Sequence, residues 1–395
     1  MFDPSAIQSA LLEQGLDGWL LYDFRGINLL ARRVLDFSDG MMNSRRWFYF
    51  IPAEGTPRKL VHAIETSALD HVPGDRTVYL SRGSLEEGVG SLLRGSRRIA
   101  MEYSPRNANP YLSRVDAGTI ELVRSFGVEV VSSGDLIQRF EACWDDDQIA
   151  MHLEAERGTT SAYEVAWKMI ADRVRAGNPA TETEVQSAIM DHFHRLGLTT
   201  YHPPIVGVGP HSGDPHFETC AELDVPIAEG TFVLIDLWAK VDRPRSVYSD
   251  LTRVGFVGKE VPAIYAESFG IVAAARDAAI AKVEAAFASG TPIRGYEVDA
   301  ACRAVIENAG LGSLFIHRTG HSIGQEVHGN GANMDDLETR DERMIIPRTC
   351  FSVEPGLYRP EYGVRSEVDV LIEPDGTVRV TGGLQTEVVP ILRDY

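Results

Sequence analysis

The chain has 395 residues, 44% hydrophobic and 24% charged, with a formal net charge of −19. Its length suggests two or three domains, and its apolar fraction can fill a sizeable core. Such acidity leaves no basic footprint for nucleic acid or an anionic membrane surface, although carboxylates in this number suit metal cations.

Residues 4–15 read as a short helix, followed by an apolar strand at GWLLY, Gly18–Tyr22. Further strand-like runs are WFYFIP from Trp47, KLVHAI from Lys59, RTVYL ending at Leu80, RRIAMEY ending at Tyr103 and VEVV from Val128. Helical stretches are expected between them at about 64–71, 84–94 and 108–119, an alternation that predicts an α/β domain over 1–145. It contains no Gly-rich phosphate loop. The acidic run WDDDQ at Trp144–Gln148 marks the boundary to a second domain, 146–395. There a long helix carries Ile149, Leu153, Ala162, Val165, Met169 and Val174 at helical spacing and stops near Gly177. A second begins at Thr181, where Glu184 completes a capping-box pattern, and stops at Gly197. Two more end near Gly290 and Gly310, and the strand runs TFVLIDLWA, RVGFVG, CFSVEPGLY and VRSEVDVLI lie between and after them. This domain is predicted to be α+β, with helices on one side of a mostly antiparallel sheet.

No apolar run of ~18 residues is present to span a membrane. The first residues lack the basic and apolar regions of a signal peptide. Cys143, Cys220, Cys302 and Cys350 are far apart and form no CxxC, which reads as reduced thiols in a cytoplasmic protein.

Asp236 and Glu354 interrupt otherwise apolar strands. A buried, unpaired carboxylate is costly, so such groups are paired, protonated or coordinated to metal. For one residue alone, a salt bridge is the commoner answer, but the spacing argues otherwise. Asp250 lies 14 positions after Asp236, with the turn-like VDRPR between them. A hairpin centred on Arg243 sets the two aspartates opposite each other. Glu354 and Glu367 flank RPEYG in the same way. Opposed residues share a face with Cβ atoms about 5 Å apart, so two acid pairs would need a cation or a shared proton. Glu367 by itself is less telling, because Arg365, Glu367 and Asp369 alternate with apolar residues as on a strand with a solvated face.

TGHSIGQEVHGNG adds His321 and His328 among glycines that imply close backbone approach, and PIVGVGPHSGDPHFE adds His216 and His211. Imidazole can bind Zn, Mn, Fe or Co or transfer protons, and spacing does not say which histidine does which. His62, His71, His152, His192, His194 and His317 have ordinary helical or strand contexts and read as structural or exposed.

In order, IDLWA, YSDLTR, GHSIGQEVH, SVEPGLY and VRSEVDVLI resemble the pita-bread metallopeptidases, which include prolidase (Xaa-Pro dipeptidase), aminopeptidase P, methionine aminopeptidase and creatinase. The resemblance covers roughly 150–395, and 1–145 is similar to the smaller N-terminal domain of prolidase, aminopeptidase P and creatinase. It implies a pita-bread catalytic domain holding two divalent ions, Mn²⁺ or Zn²⁺ foremost, with Co²⁺ and Fe²⁺ also compatible. Asp236 would be a bidentate ligand of one ion, Asp250 and Glu367 would bridge both, and His321 and Glu354 would complete the other's shell. A hydroxide shared by the ions would attack the scissile carbonyl, with Glu354 taking a proton from the attacking water. His216 and His328 match histidines that contact substrate and stabilise the tetrahedral intermediate. Arg340 stands 14 residues before Glu354, where prolidases carry an arginine for the substrate's terminal carboxylate.

The resemblance thus implies a cytoplasmic, homodimeric Xaa-Pro dipeptidase acting on small proline-containing peptides. Aminopeptidase P, for longer peptides, is the nearest alternative, and a non-catalytic binding protein that kept the fold is the second. Methionine aminopeptidase generally lacks the N-terminal domain, and creatinase lacks the metal ligands. The chain departs from the family pattern at Trp238, where DLGA is usual, at Gly329, where Glu is usual, at Val254, where TRT is frequent, and in an aspartate spacing about three residues longer. None of these removes a ligand; they bear on substrate preference.

Overall fold

The computed structural model describes residues 2–37, 41 and 43–395, and the chain divides into two compact units, Met1–Ala142 and Cys143–Tyr395. In the first, helix α1 (Ser5–Glu13) precedes strands β1 (Gly18–Asp23), β2 (Trp47–Pro52), β3 (Arg58–His62), β4 (Asp75–Tyr79), β5 (Arg98–Met101) and β6 (Glu129–Ser132). They form one sheet in the order β4-β3-β2-β1-β5-β6, in which β2 runs antiparallel to both neighbours and the other pairs are parallel. Every residue of β1 and β2 is buried because the two faces serve two cores. Trp19, Leu21, Trp47 and Tyr49 pack with α1 and α2 (Leu29–Val34), while Leu20, Tyr22, Phe48 and Phe50 pack with α3 (Arg82–Leu92) and α4 (Ala117–Ser125). Helix α5 (Gly134–Ile137) closes the unit.

All six expected strands form. The helix expected at 64–71 does not: the segment makes separate turns, with bonds from Ala68 N to Glu65 O and from Asp70 N to Ser67 O. Pro73 stops any continuation, because the residue before a proline is pushed out of the helical region. The helix expected at 108–119 is displaced to Ala117–Ser125, where Asp116 caps it by accepting from Thr119 N at 2.9 Å.

In the second unit the acidic run begins α6 (Asp146–Arg175), and Asp145 and Gln148 form its capping box, with Asp146 and Asp147 favourably placed in the first turn. Helix α7 (Glu182–Arg195) has the Thr181–Glu184 box read from the sequence. Next come β7 (Leu198–Thr199), β8 (Ile205–Val208) and the hairpin β9 (Phe232–Val241) with β10 (Ser249–Phe256). A second helix pair, α8 (Ala263–Ser289) and α9 (Gly295–Asn308), precedes β11 (Ser322–Ile323), β12 (Cys350–Val353), β13 (Gly356–Tyr358), β14 (Gly363–Arg365), β15 (Val368–Ile372) and β16 (Val378–Thr381). Strand β17 (Val389–Pro390) lies parallel to β10 and leads into α10 (Ile391–Asp394). The unit is therefore two successive modules, each a helix pair backing antiparallel strands. Val233, Ile235, Leu237 and Ala239 of β9 pack with α6 and α7, while Phe351, Val353, Val368 and Val370 pack with α8 and α9. Among the described residues no helix is long and apolar enough to cross a membrane.

Hairpin register decides which side chains meet. In β9–β10, Asp236 pairs with Thr252 and Asp250 with Trp238. This corrects the expected direct opposition of the aspartates: the turn centres on Pro244, one residue later than Arg243, and every pairing moves by two. Arg243 N donates to Val241 O at 2.8 Å, Arg245 adopts φ +62°, and Gln148 of α6 holds the Arg245 carbonyl. A shift of two preserves the face, so Asp236 and Asp250 remain diagonal neighbours on one surface. In the second hairpin the register is the expected one. Val353 pairs with Val368 and Gly356 with Arg365, and Ser366 N donates to Pro355 O between them. The same register carried across the interruption at Pro355 sets Glu354 opposite Glu367.

His152 of α6, which the sequence marked only as structural or exposed, is fully buried. Its Nδ1 donates to Tyr248 O and its Nε2 accepts from the Thr381 hydroxyl, both at 2.8 Å. Burial pulls its pKa down to about 4. A folded value below the unfolded ~6.5 means stability that is complete above pH 6.5 and lost as the pH falls towards 4. The expected loss is about 3 kcal/mol, at 1.36 kcal/mol per unit. Unfolding of the native protein and His152→Gln from pH 7.5 to 4 checks this: the stability gap between them should shrink by about that amount, and a constant gap would refute it.

Candidate metal centre

Even-numbered residues of β9 face away from α6 and α7. Phe232 and Leu234 fill the apolar core there, and Asp236 and Trp238 continue the same face. Asp250 joins it from β10. Glu354 and Glu367 arrive at the breaks in the second hairpin, and His321 directly precedes β11.

Asp250, His321 and Glu367 each offer a ligand atom, all within 4.8 Å of one another, and all three residues are buried. His321 Nε2 lies 3.5 Å from Asp250 Oδ2 and 3.4 Å from Glu354 Oε1. Its Nδ1 donates to the Ser322 carbonyl at 3.1 Å, so the tautomer that satisfies this bond turns the Nε2 lone pair towards the carboxylates. A lone pair facing carboxylate oxygens is repulsive unless a cation stands between them. Burial holds His321 well below its ordinary pKa, aided by His328 and Arg318.

The carboxylates repeat the argument. Burial, then Asp236, Asp369 and Glu354, push Asp250 well above the usual range. Burial, then Asp250, Glu354 and Asp236, do the same to Glu367, whose Oε2 accepts from the Thr252 hydroxyl at 2.7 Å. Burial raises Glu354 to about 7, and Ser352 Oγ donates to its Oε1 at 3.1 Å. Burial raises Asp236 against the opposing pull of Arg365. Asp236 Oδ1 and Asp250 Oδ1 are buried with no hydrogen-bond partner among the described residues. Buried orphan acceptors are uncommon and costly, and divalent cations would satisfy them. The donor set, carboxylate oxygens with one imidazole, fits Mn²⁺, Zn²⁺, Co²⁺ or Fe²⁺.

Arg365 is the cation built into this surface. Its guanidinium bonds Asp236 Oδ2, Thr252 Oγ1 at 3.0 Å and the Tyr358 hydroxyl at 3.0 Å. The Tyr358 hydroxyl donates a hydrogen bond to His317 Nε2 at 2.8 Å, and His317 Nδ1 donates to Arg318 O at 2.7 Å. Burial and the Arg365 charge pull His317 down to about 3, so it stays neutral and acts as the acceptor. Asp369, fully buried, accepts from Asp250 N at 3.0 Å. None of these residues was singled out from the sequence, and His317 was read as structural or exposed. Arg365, Glu367 and Asp369 do alternate as anticipated, but their face is buried against Asp236 and Asp250 rather than solvated. Their period was the available signal; Tyr358 and His317 carried none.

His328 stacks edge-on to His321 with ring centroids 4.3 Å apart. Desolvation of its inner edge and the Arg318 charge hold it down to about 4. His216 is exposed, and its field reaches both Asp236 and His328. Arg340 is not brought to this group. Its guanidinium lies over the Tyr296 ring at 3.8 Å and pairs with Asp336 at 3.0 Å and Glu342 at 3.5 Å. Arg318 and Arg365 are arginines among the described residues whose charge acts on the centre.

The glycines around His321 make close approaches. A Cβ on Gly320 would meet Ser352 O at 1.9 Å. One on Gly329 would meet Gly324 N, Ile323 C and Ser322 Oγ at 2.9 Å, and Gly329 N donates to Ser322 O at 2.6 Å. A glutamate side chain has no room at 329 in this backbone.

The family model described as metallopeptidase family M24 matches residues 153–374, more than half of the chain. The chain belongs to metallopeptidase family M24. Among M24-like relatives, the probable dipeptidase PepE of Mycobacterium tuberculosis is 28% identical over 335 residues, covering 84% of this chain and 82% of that protein. The Xaa-Pro dipeptidase of Lactobacillus helveticus is 29% identical over 224 residues, covering 56% and 55%. The crystal structure of dipeptidase PepE from Mycobacterium ulcerans superposes with a TM-score of 0.69 at 22% identity, covering 98% and 96%. The fold is the pita-bread fold of this family, and the chain is a metal-dependent peptidase.

Addition of Mn²⁺ to metal-free protein should raise its Tm, by an amount equivalent to about 2.7 kcal/mol at a concentration 100 times Kd. Because the centre's carboxyls are held above their ordinary values, protons compete early, and the gain should shrink as the pH falls from 8 to 5. Calorimetry across that range checks both; a gain that grows towards acid would contradict the arrangement.

Proposed function

We propose that the chain is a dinuclear-metal Xaa-Pro dipeptidase. The carrying observation is the buried convergence of Asp250, His321 and Glu367, beside the orphaned oxygens of Asp236 and Asp250, in an M24 chain. In this reading Asp236, Asp250, His321, Glu354 and Glu367 would hold two divalent ions, which would supply an acidified water and Lewis-acid polarisation of the scissile carbonyl.

The protein's own groups complete the chemistry. Glu354, whose Oε1 accepts from Ser352 Oγ, receives the proton of the attacking water. His328, held neutral, and His216 donate to the oxyanion that develops on the carbonyl oxygen. Arg365, itself held by Thr252 and Tyr358, bonds Asp236 Oδ2 and restrains that carboxylate. The proline preference draws support from the Lactobacillus helveticus relative, and the dipeptidase reading also from the Mycobacterium tuberculosis one. Arg318, whose charge reaches His328 and Glu354, suits the substrate's terminal carboxylate. The reading includes residues 1–145 as the prolidase-like N-terminal domain and a homodimer as the assembly. It also keeps a cytoplasmic location, consistent with four free cysteines.

The test is Ala-Pro against Ala-Pro-Ala with Mn²⁺, Co²⁺ or Zn²⁺. Preferential cleavage of the dipeptide is expected; preference for the tripeptide would indicate an aminopeptidase P, and no cleavage of either would favour a binding protein. Chelation should abolish activity. Asp250→Asn should lose bound metal, by elemental analysis, together with at least 10³-fold in kcat/KM, equivalent to about 4 kcal/mol; retention of both would refute a bridging Asp250.

A further inference from the structure

We propose that Trp238, Tyr201 and Tyr248 form the wall that receives the side chain on the amino side of the scissile bond, and that this wall selects apolar and aromatic residues there. The inference rests on the peptidase reading above and deepens it. Trp238 shares its strand face with Asp236, two residues away, and is the direct cross-strand partner of Asp250. Opposed residues have Cβ atoms about 5 Å apart, so the indole borders the carboxylate group itself. Tyr201 lies 6.1 Å from it between ring centroids, and His202 stacks on it at 6.2 Å with the planes 23° apart. Tyr248 meets Tyr201 edge-on at 6.3 Å, and Lys240 Nζ lies 4.8 Å from the Tyr248 ring centroid. Trp238 is 8% exposed, whereas Tyr201 is 71% exposed, so the aromatic surface runs from beside the aspartates out to solvent.

A further observation separates the outer part of this surface from simple core filling: the exposed Tyr201, tilted 30° to the indole, protects no core and has no structural need to be aromatic. The side of the substrate follows from charge. Asp236 and Asp250 are the charges that reach the Tyr201 hydroxyl, and Arg318 reaches His328, His321 and Glu354. With the carboxylate of a dipeptide towards Arg318, its amino-terminal residue lies on the side of the centre that carries the aspartates and the wall. The side chain of that residue is the one that meets Trp238.

The experiment compares kcat/KM for Phe-Pro, Leu-Pro, Gly-Pro and Asp-Pro in the native protein, Tyr201→Ala and Trp238→Gly, with bound metal measured in each. Binding of free phenylalanine and glycine to the metal-loaded proteins is followed by calorimetry. The native protein should prefer Phe-Pro and Leu-Pro over Gly-Pro and Asp-Pro by about 10-fold or more, the scale of an apolar pocket's discrimination. Tyr201→Ala, at an exposed position, should cut that ratio several-fold, and Trp238→Gly should bring it close to one. Phenylalanine should bind more tightly than glycine, with the difference lost in both variants. Ratios left unchanged in both metal-retaining variants, or no native preference at all, would overturn the wall while leaving the peptidase reading intact. If no dipeptide is cleaved, that reading fails and the binding arm decides: equal affinities overturn the wall, and a phenylalanine preference abolished by Tyr201→Ala sustains it.

Discussion

The folded second unit depends on the toleration of negative charge out of water. Asp236, Asp250, Glu367 and Asp369 are buried with Glu354 beside them, and Arg365 is the guanidinium that bonds directly into the group. Each isolated carboxylate in such a place would cost several kcal/mol, and proximity adds mutual repulsion. One arginine pairs with one of them, and backbone and hydroxyl donors satisfy single oxygens of others, which leaves one oxygen each on Asp236, Asp250 and Asp369 without a partner among the described residues. The remaining imbalance is the shape of a cation site. Electrostatics that would otherwise destabilise the fold are thereby converted into affinity for divalent metal.

Such a group can be held only by elements that do not yield. Two hairpins supply the acids, and each is backed by a helix pair whose apolar faces fill a separate core. Polar pins reinforce the packing where the strands approach the centre. The Tyr163 hydroxyl of α6 donates to Leu251 O at 2.6 Å, beside Asp250, and Arg276 of α8 bonds Ser366 Oγ at 2.7 Å, beside Glu367. The carboxylates cannot separate to relieve their repulsion without breaking these bonds, so protonation or a metal must do it instead.

The parts of this arrangement legible in the sequence were those set by local chemistry. A capping box is a four-residue pattern, and Thr181–Glu184 could be read directly, whereas the Asp145–Gln148 box was read only as an acidic boundary before a helix. Acids inside apolar strands are visible as violations of the pattern, which brought Asp236 and Glu354 forward. Register was legible in the second hairpin and missed by two in the first, because turn geometry depends on which residue takes a left-handed conformation, and Arg245 is an unusual choice. The shift kept the aspartates on one face, so the chemical conclusion outlived the geometric error. Arg365 and Asp369 were passed over because a period of two does not say which face meets water. Arg340 was placed by spacing alone across a long irregular loop, where spacing carries no distance; its partners proved to be Asp336, Glu342 and Tyr296.

Two of the departures from the family pattern, Trp238 and Gly329, have a common location. Trp238 packs in one apolar cluster with Ile323, Val327 and Tyr248, and Gly329 closes the tight return of that same segment onto Ser322. A bulky indole on the strand and a residue without a side chain on the facing loop are complementary: the first adds surface where the family usually has glycine, and the second removes volume and charge where it usually has glutamate. Neither substitution alters a group of the Asp250–His321–Glu367 convergence, and Gly320 keeps its close contact with Ser352. The change is confined to what borders the centre. Exchange of a carboxylate for apolar area there lowers the negative potential beside the aspartates and raises the benefit of burying an uncharged side chain, roughly 25 cal/mol per Å² removed from water. Divergence of this kind redirects recognition while the constraint that builds the centre stays in force.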